Sequence, residues 1–419
     1  MKLHKNNLLI ILFIVLIFFT ADSCKKDDAN KSPNFDWMKC YGGIENDDVY
    51  YIINTNDGNY LVVGSTYRSK SLVIKIDISG NIIWERNYNY ESISKAVVNN
   101  NSEGYLIVGS TWSSEDGTNV WLNNINKNGE VIWEKSIGGS AQDIVNSIIK
   151  TNDNGYLLVG ATFSSDGDIT HNFGEKDVWV VKIDEFGEII WEKCFGGLNW
   201  EEAYCVKQLD NGNFIIAGES NSFNDNLIGH YRNDYYVLKV SSTGVLIDEK
   251  NFGSGDDDCA FSLSLTNDSC ILIVGEASDA SGEVSMVHDD SRDIWVIKLD
   301  YNLNLIWEKS YGGSTWEGEP IILETGIGEY IFTCWTASSD GDISFNHGNY
   351  DTWVVKINNQ GLILDDKSYG GSKWEKPKSI ISNPVGGIVI AGYSNSNDKQ
   401  VIGNSGKDDF WIISTSSTH

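Results

Sequence analysis

Residues 187–203 read GEIIWEKCFGGLNWEEA, and near-copies return along the chain. They are NIIWERNY from Asn81, EVIWEKSIGGSAQD from Glu130, NLIWEKSYGGSTWE from Asn304 and LILDDKSYGGSKWE from Leu362. Aligned on the tryptophan, the phrase falls at Trp37, Trp84, Trp133, Trp191, Asp248, Trp307 and Asp365. These positions lie roughly 50–60 residues apart, and a fixed period of that size marks a repeat fold.

One unit shows what repeats. Residues 143–151, DIVNSIIKT, alternate apolar and polar, as a half-buried strand does. NDNG (152–155) is a turn, and YLLVGATF (156–163) is a second apolar run. A polar stretch, SSDGDITHNFGEK, leads to a third strand, DVWVVKID (177–184). EFGE turns the chain into a fourth strand, IIWEKCF (189–195). Four short strands per unit and seven units predict an all-β, seven-bladed β-propeller of four-stranded antiparallel blades. A lone blade leaves its faces bare, and stacking blades in a ring buries them. The last unit stops without an IIWEK strand, while NFDWMKCYGG stands spare ahead of the first. The N-terminal segment is therefore expected to complete the last blade.

Two positions repeat for structural reasons. Gly64, Gly109, Gly160, Gly218, Gly275 and Gly392 share one site in the second strand, with Cys334 in the sixth unit. A small residue there admits a close neighbour. Asp177, Asp234, Asp293, Asp351 and Asp409 open the third strand, with Asn119 in the second unit. Such an aspartate accepts backbone N–H bonds and pins a loop end.

The chain has 419 residues, with 41 Gly, 15 Trp and only four Pro, as short packed strands and tight turns require. Its formal net charge of −28 argues against nucleic acid, which needs a basic footprint. Lys2 and Lys5 precede the apolar run Leu8–Phe19, too short to span a bilayer but suited to a signal peptide. Ser23–Cys24 and the polar KKDD follow. This resembles a bacterial lipoprotein signal, with Cys24 as the lipidated residue; the alternative is a plain secretory signal. The expected division is a signal peptide at 1–23, a polar tether at 24–33 and one propeller domain at 34–419. The expected address is export and outer-membrane attachment by the lipid alone, with the domain exposed at the surface. The other six cysteines show neither a CxxC nor a zinc spacing and read as small buried residues.

The IIWEK unit resembles the repeat of PQQ-type (quinoprotein-like) propellers, in which a glycine precedes a docking tryptophan by four residues. Gly80–Trp84, Gly129–Trp133 and Gly187–Trp191 keep that spacing. The Thr ahead of the glycine is missing, and no quinone or metal ligand carries over. Over the mature chain, the pattern is similar to the YGG-repeat propeller lipoproteins of Bacteroidota. The resemblance implies that these tryptophans are packing elements.

Function is expected where long loops gather on a rigid scaffold. In an up-and-down blade, the loops after strands two and four share a face. Trp200–Glu201, Trp316–Glu317 and Trp374–Glu375 stand there, where other units carry Asn46–Asp47, Gln142–Asp143 and Asp257–Asp258. An exposed ring beside a carboxylate suits a sugar. The structural alternative is a ring wedged between blades and an acid capping a turn. SSDGDI occurs twice, placing Asp166 and Asp168, and Asp340 and Asp342, around a glycine. Calcium is one reading of these hard oxygens, an ordinary Asp-Gly turn the other. His171, His230, His288 and His347 fall in the same loops and read as polar loop residues. No catalytic signature or Rossmann or Walker fingerprint is present. The sequence thus points to a non-catalytic binding module for a glycan or envelope protein, without a cofactor. Alternatives are a scaffold in an envelope assembly and a polysaccharide lyase or hydrolase.

Overall fold

A computed structural model describes residues 36–67, 70–90, 92–113, 117–222, 232–289 and 291–416. The signal segment, Cys24, the tether and His230 lie outside these residues. The compact unit runs Phe35–His419.

Each repeat is a four-stranded antiparallel sheet, and the described residues form seven of them. In blade three the strands are Asp143–Lys150, Tyr156–Thr162, Asp177–Ile183 and Ile189–Phe195. Every residue of its second and third strands is buried. Both faces of these central strands pack on neighbouring blades, so their sequence is a continuous apolar run rather than an alternation. Leu158 and Trp179 of blade three, for example, share a cluster with Leu106 and Leu122 of blade two. Blade seven closes on blade one in the same way, with Phe410 and Ile412 against Val62 and Ile74. Asp47 N–H donates to the Asp408 carbonyl across that junction at 2.6 Å. The seventh sheet comprises Glu375–Ser382, Ile388–Ser394 and Asp409–Ser414, with Trp37–Tyr41 as its outer strand. Trp37 is opposite Ser414, and Tyr41 opposite Phe410.

The second-strand glycine answers a bulge in the first strand. In blade three the register shifts between Val145 and Ser147. The bulge thrusts a carbonyl at the facing strand. A Cβ on Gly160 would lie 2.0 Å from the Ile144 oxygen. The same collision awaits at Gly109, with the Ile93 oxygen at 1.7 Å. Blade six has Cys334 there, and its pairing skips from Gly318–Trp335 to Ile321–Thr333. Cys334 is left without a first-strand backbone partner opposite Glu319 and Pro320, and Pro320 has no N–H to offer.

The recurring IIWEK phrase couples blades. Its tryptophan leaves its own sheet and caps the glycine turn of the next. Trp84 Nε1 donates to the Lys127 carbonyl at 3.1 Å, Trp191 to Ser242 at 3.2 Å and Trp307 to Asn359 at 3.1 Å. The following acid serves its own blade: Glu308 accepts from the buried Trp295 indole at 2.9 Å, and Asp366 from Trp353 at 3.1 Å.

Candidate functional site

Gly–Gly turns carry five of the chain crossings from an outer strand to the next blade's first strand, at 42–43, 138–139, 196–197, 312–313 and 370–371. In the Trp–Glu pairs on these turns, the two residues meet opposite environments. Trp200, Trp316 and Trp374 are 49%, 61% and 45% exposed, whereas Glu201, Glu317 and Glu375 are fully buried. The acids cap the turns from beneath. Gly197 N–H donates to Glu201 Oε2 at 2.8 Å, and Gly371 N–H to Glu375 Oε2 at 2.7 Å. Second-strand hydroxyls take the other oxygen: Ser220 on Glu201 at 3.0 Å, Thr336 on Glu317 at 2.7 Å. Asp47, Asp143 and Asp258 do the same work in their blades. These carboxylates therefore do not stand beside the exposed rings. At Trp200 another acid does: the indole donates to Glu175 Oε2 at 2.5 Å, beneath an open groove of about 310 Å³ that includes Asn199 and Asn221.

Each crossing glycine is wedged between this acid and the residue opening the third strand. A Cβ on Gly196 would meet Glu201 Oε2 at 2.3 Å and Asp177 Oδ1 at 2.7 Å. Gly370 stands likewise between Asp351 and Glu375, and Gly42 between Asp409 and Asp47. The outer oxygens of Asp177, Asp293, Asp351 and Asp409 pin their long loops. Phe173 N–H donates to Asp177 Oδ2 at 2.5 Å, and Ser405 N–H to Asp409 Oδ2 at 2.7 Å. The loop histidines join in: His288 Nδ1 is 2.6 Å from Asp293 Oδ2, and His347 Nδ1 is 2.6 Å from Asp351 Oδ2.

The SSDGDI loops fold over the same turns. Asp166 Oδ1 accepts from Ser140 N–H at 2.8 Å, and Asp168 Oδ2 from Gly138 N–H at 3.0 Å. Asp340 and Asp342 repeat this with Ser314 and Gly312. Hydrogen bonds from Ser140 and Ser314 hold the Asp166 and Asp340 carboxyls below their usual range. Blade seven uses Asp398 and Gln400 in the same places, a match hidden by its different loop sequence. Among the described residues no cluster of three or more His, Cys, Asp or Glu side chains could hold a metal ion. The six described cysteines are free thiols.

Sequence reasoning missed the central channel. The first strands of all seven blades line a cavity of about 430 Å³. Its chemistry comes from the bulge position: Tyr50, Lys95, Asn146, Tyr204, Phe261, Pro320 and Lys378. Lys95 Nζ sits 4.0 Å from the Tyr50 ring centre, and the Tyr204 and Phe261 rings are 5.5 Å apart. Lys378 pairs with Glu319, and Asn146 donates to Glu202 Oε1 at 2.7 Å. Burial, with Lys378 next, pulls the Lys95 ammonium below its ordinary value. The sequence offers no signal for it: the bulge residue and the residues on either side of it vary alike from unit to unit.

Trp200, Trp316 and Trp374 immediately precede first strands whose middle residues line the channel. Three rings lie in succession, Trp374 5.8 Å from Tyr350 and Tyr350 5.1 Å from Trp335. Lys376 Nζ lies 4.7 Å from the Trp335 ring centre.

No family model matches this chain, and no curated protein matches it. Solved structures do. A streptogramin B lyase superposes with a TM-score of 0.54 at 12% identity, covering 91% of this chain and 98% of that one. The Pan2 WD40 domain of Neurospora crassa gives 0.52 at 10% identity, covering 91% and 96%. A Bacteroides caccae protein described as of unknown function gives 0.41 at 13% identity, covering 74% and 94%. The likeness is one of fold. A lyase and a WD40 domain share it, so the architecture by itself selects neither catalysis nor binding.

Proposed function

We propose that this protein is a non-catalytic binding module, exported and lipid-anchored through Cys24 at the outer membrane, with a glycan as its ligand. The observation that carries the reading is the set of half-exposed rings, Trp200, Trp316 and Trp374, on the turns that precede channel-lining strands. Large apolar surface left in water on rigid turns marks a contact site. The channel mouth adds both signs of charge, amide groups and stacked rings, which match the alternating hydroxyls and apolar faces of a sugar. The buried acids hold the turns that present the rings. Acidic Glu175 and Asn199 supply polar contacts beside Trp200.

The test is a glycan array probed with the soluble fragment from about residue 30, followed by affinity electrophoresis of the Trp200→Ala and Trp374→Ala variants. Retention should fall about 5- to 150-fold, as expected for about 1–3 kcal/mol from a lost stacking ring. The unfolding midpoint should barely move. A large loss of stability with unchanged retention would make the rings wedges. Product release from a glycan would favour a lyase or hydrolase, and co-purifying envelope proteins over an inert array would favour a scaffold.

A further inference from the structure

Asn119 exposes what the other blade crossings conceal. Oriented by its hydrogen-bond network, its Nδ2 donates to the Gly139 carbonyl at 3.0 Å and to Asp143 Oδ2 at 3.2 Å. The crossing thus offers two acceptors and demands a donor. At the next crossing Asp177 takes this place opposite Glu201. Asp177 Oδ1 flanks Gly196 as the Asn119 amide flanks Gly138, 2.7 Å against 2.5 Å from the position of a glycine Cβ. The partner acids match too, at 2.3 Å and 2.4 Å. An ionised aspartate has no hydrogen to give. Asp177 is fully buried and its Oδ1 lacks any hydrogen-bond partner; the Oδ1 atoms of Asp351 and Asp409 are in the same position. Two buried carboxylates facing each other cannot both stay charged.

We infer that the crossings at Asp177, Asp351 and Asp409 are each latched by one shared proton, the third-strand aspartate being a neutral acid that donates to the next blade's carboxylate. No bond to carbon changes; the proton comes from solvent as the ring closes. The latch is independent of the glycan reading. It governs the turns that hold Trp200 and Trp374, so presentation of those rings depends on pH.

The surroundings agree. Around the Asp177–Glu201 pair stand His171 from the preceding loop, Cys194 on the fourth strand and Tyr236 in blade four. Burial keeps the Cys194 thiol and the Tyr236 phenol neutral. Lys176 is turned to Glu202 at 2.8 Å. Burial pushes Asp177 up to about 6, with the Phe173 N–H opposing and the Glu201 charge reinforcing. A folded-state value above the unfolded one means that the folded protein holds the extra proton. Stability from this latch is therefore full below about pH 4 and declines as pH rises through about 6. The loss is about a hundredfold in the folded-to-unfolded ratio at this crossing.

The experiment compares urea midpoints from pH 4.5 to 8.5 for the parent, Asp177→Asn, Asp177→Ala and Asn119→Asp. Asp177→Asn supplies a permanent donor. It should match or exceed the parent at pH 8 and flatten the decline with pH, whereas Asp177→Ala should be weaker throughout. Asn119→Asp should add a new decline above pH 6. Infrared difference spectra should show a protonated carboxyl band in the parent at pH 6 that shrinks in Asp177→Asn. If Asp177→Asn is as unstable as Asp177→Ala at pH 8 and Asn119→Asp adds no pH dependence, the inference is overturned. Rescue of the parent at pH 8 by calcium or sodium, lost in Asp177→Asn, would assign these oxygens to a cation and overturn it too.

Discussion

Replacing Gly187 by Ala isolates the latch between adjacent blades. Gly187 sits at φ +77° in the turn before the fourth strand of blade three. A Cβ there would stand 2.6 Å from Trp133 Cη2, at the edge of the ring that blade two lays over this turn. Gly58 is its control. It has φ +78° in a comparable turn of blade one and nothing within 4 Å of a Cβ. Forcing alanine into the left-handed region costs about 1–2 kcal/mol at either site. At Gly187 the indole must also lift, which forfeits about 1–2 kcal/mol of ring contact. Gly187→Ala should thus cost about 2–4 kcal/mol and Gly58→Ala about half that. Urea unfolding followed by far-UV circular dichroism measures both. Repeating Gly187→Ala in a Trp133→Ala background should return its cost to the Gly58 value, because the clash partner is gone. Equal costs at the two glycines, or an undiminished cost without Trp133, would refute interblade docking by the IIWEK tryptophan.

Three further outcomes follow from individual contacts. Tyr311→Phe removes the phenol that donates to the Gly361 carbonyl of the next blade at 2.7 Å, which should lower stability by about 1–3 kcal/mol in the same assay. Asp153 accepts from Thr151, from the buried Lys182 ammonium and from the Gly155 N–H, and these bonds hold its carboxyl down at about 2. A depressed folded value gives stability that is present above about pH 4 and lost as pH falls towards 2, opposite in sign to the crossing acids. Asp153→Asn should therefore flatten the acid limb of the stability profile and leave the alkaline limb unchanged. Cys24→Ala should shift the protein from membrane to soluble fractions on cell fractionation; retention in the membrane would end the lipoprotein reading.

Parts of the site were legible from residues alone. Asp177, Asp351 and Asp409 were readable as loop-pinning groups, because an aspartate before a buried aromatic strand has few other uses. The exposure of Trp200 and the burial of Glu201 were not. Neighbouring residues at a strand's start face opposite ways, and only the position of the adjoining blade decides which side holds water. The channel at Tyr50, Lys95 and Tyr204 was likewise hidden, since residues about 50 apart in sequence meet only when the ring is built.

The sequence by itself determined the repeat and the four strands of each blade. Those are local patterns: side-chain alternation, turn glycines and a phrase repeated at constant spacing. The resemblance to quinoprotein-like propellers implied packing for Trp84, Trp133 and Trp191, and the structure showed that the packing is on the next blade. Tertiary structure alone decided which carboxylates face each other across a crossing and which side chains converge on the channel. A dihedral preference acts within a few residues, whereas the meeting of Asp177 with Glu201 depends on how one sheet packs against the next.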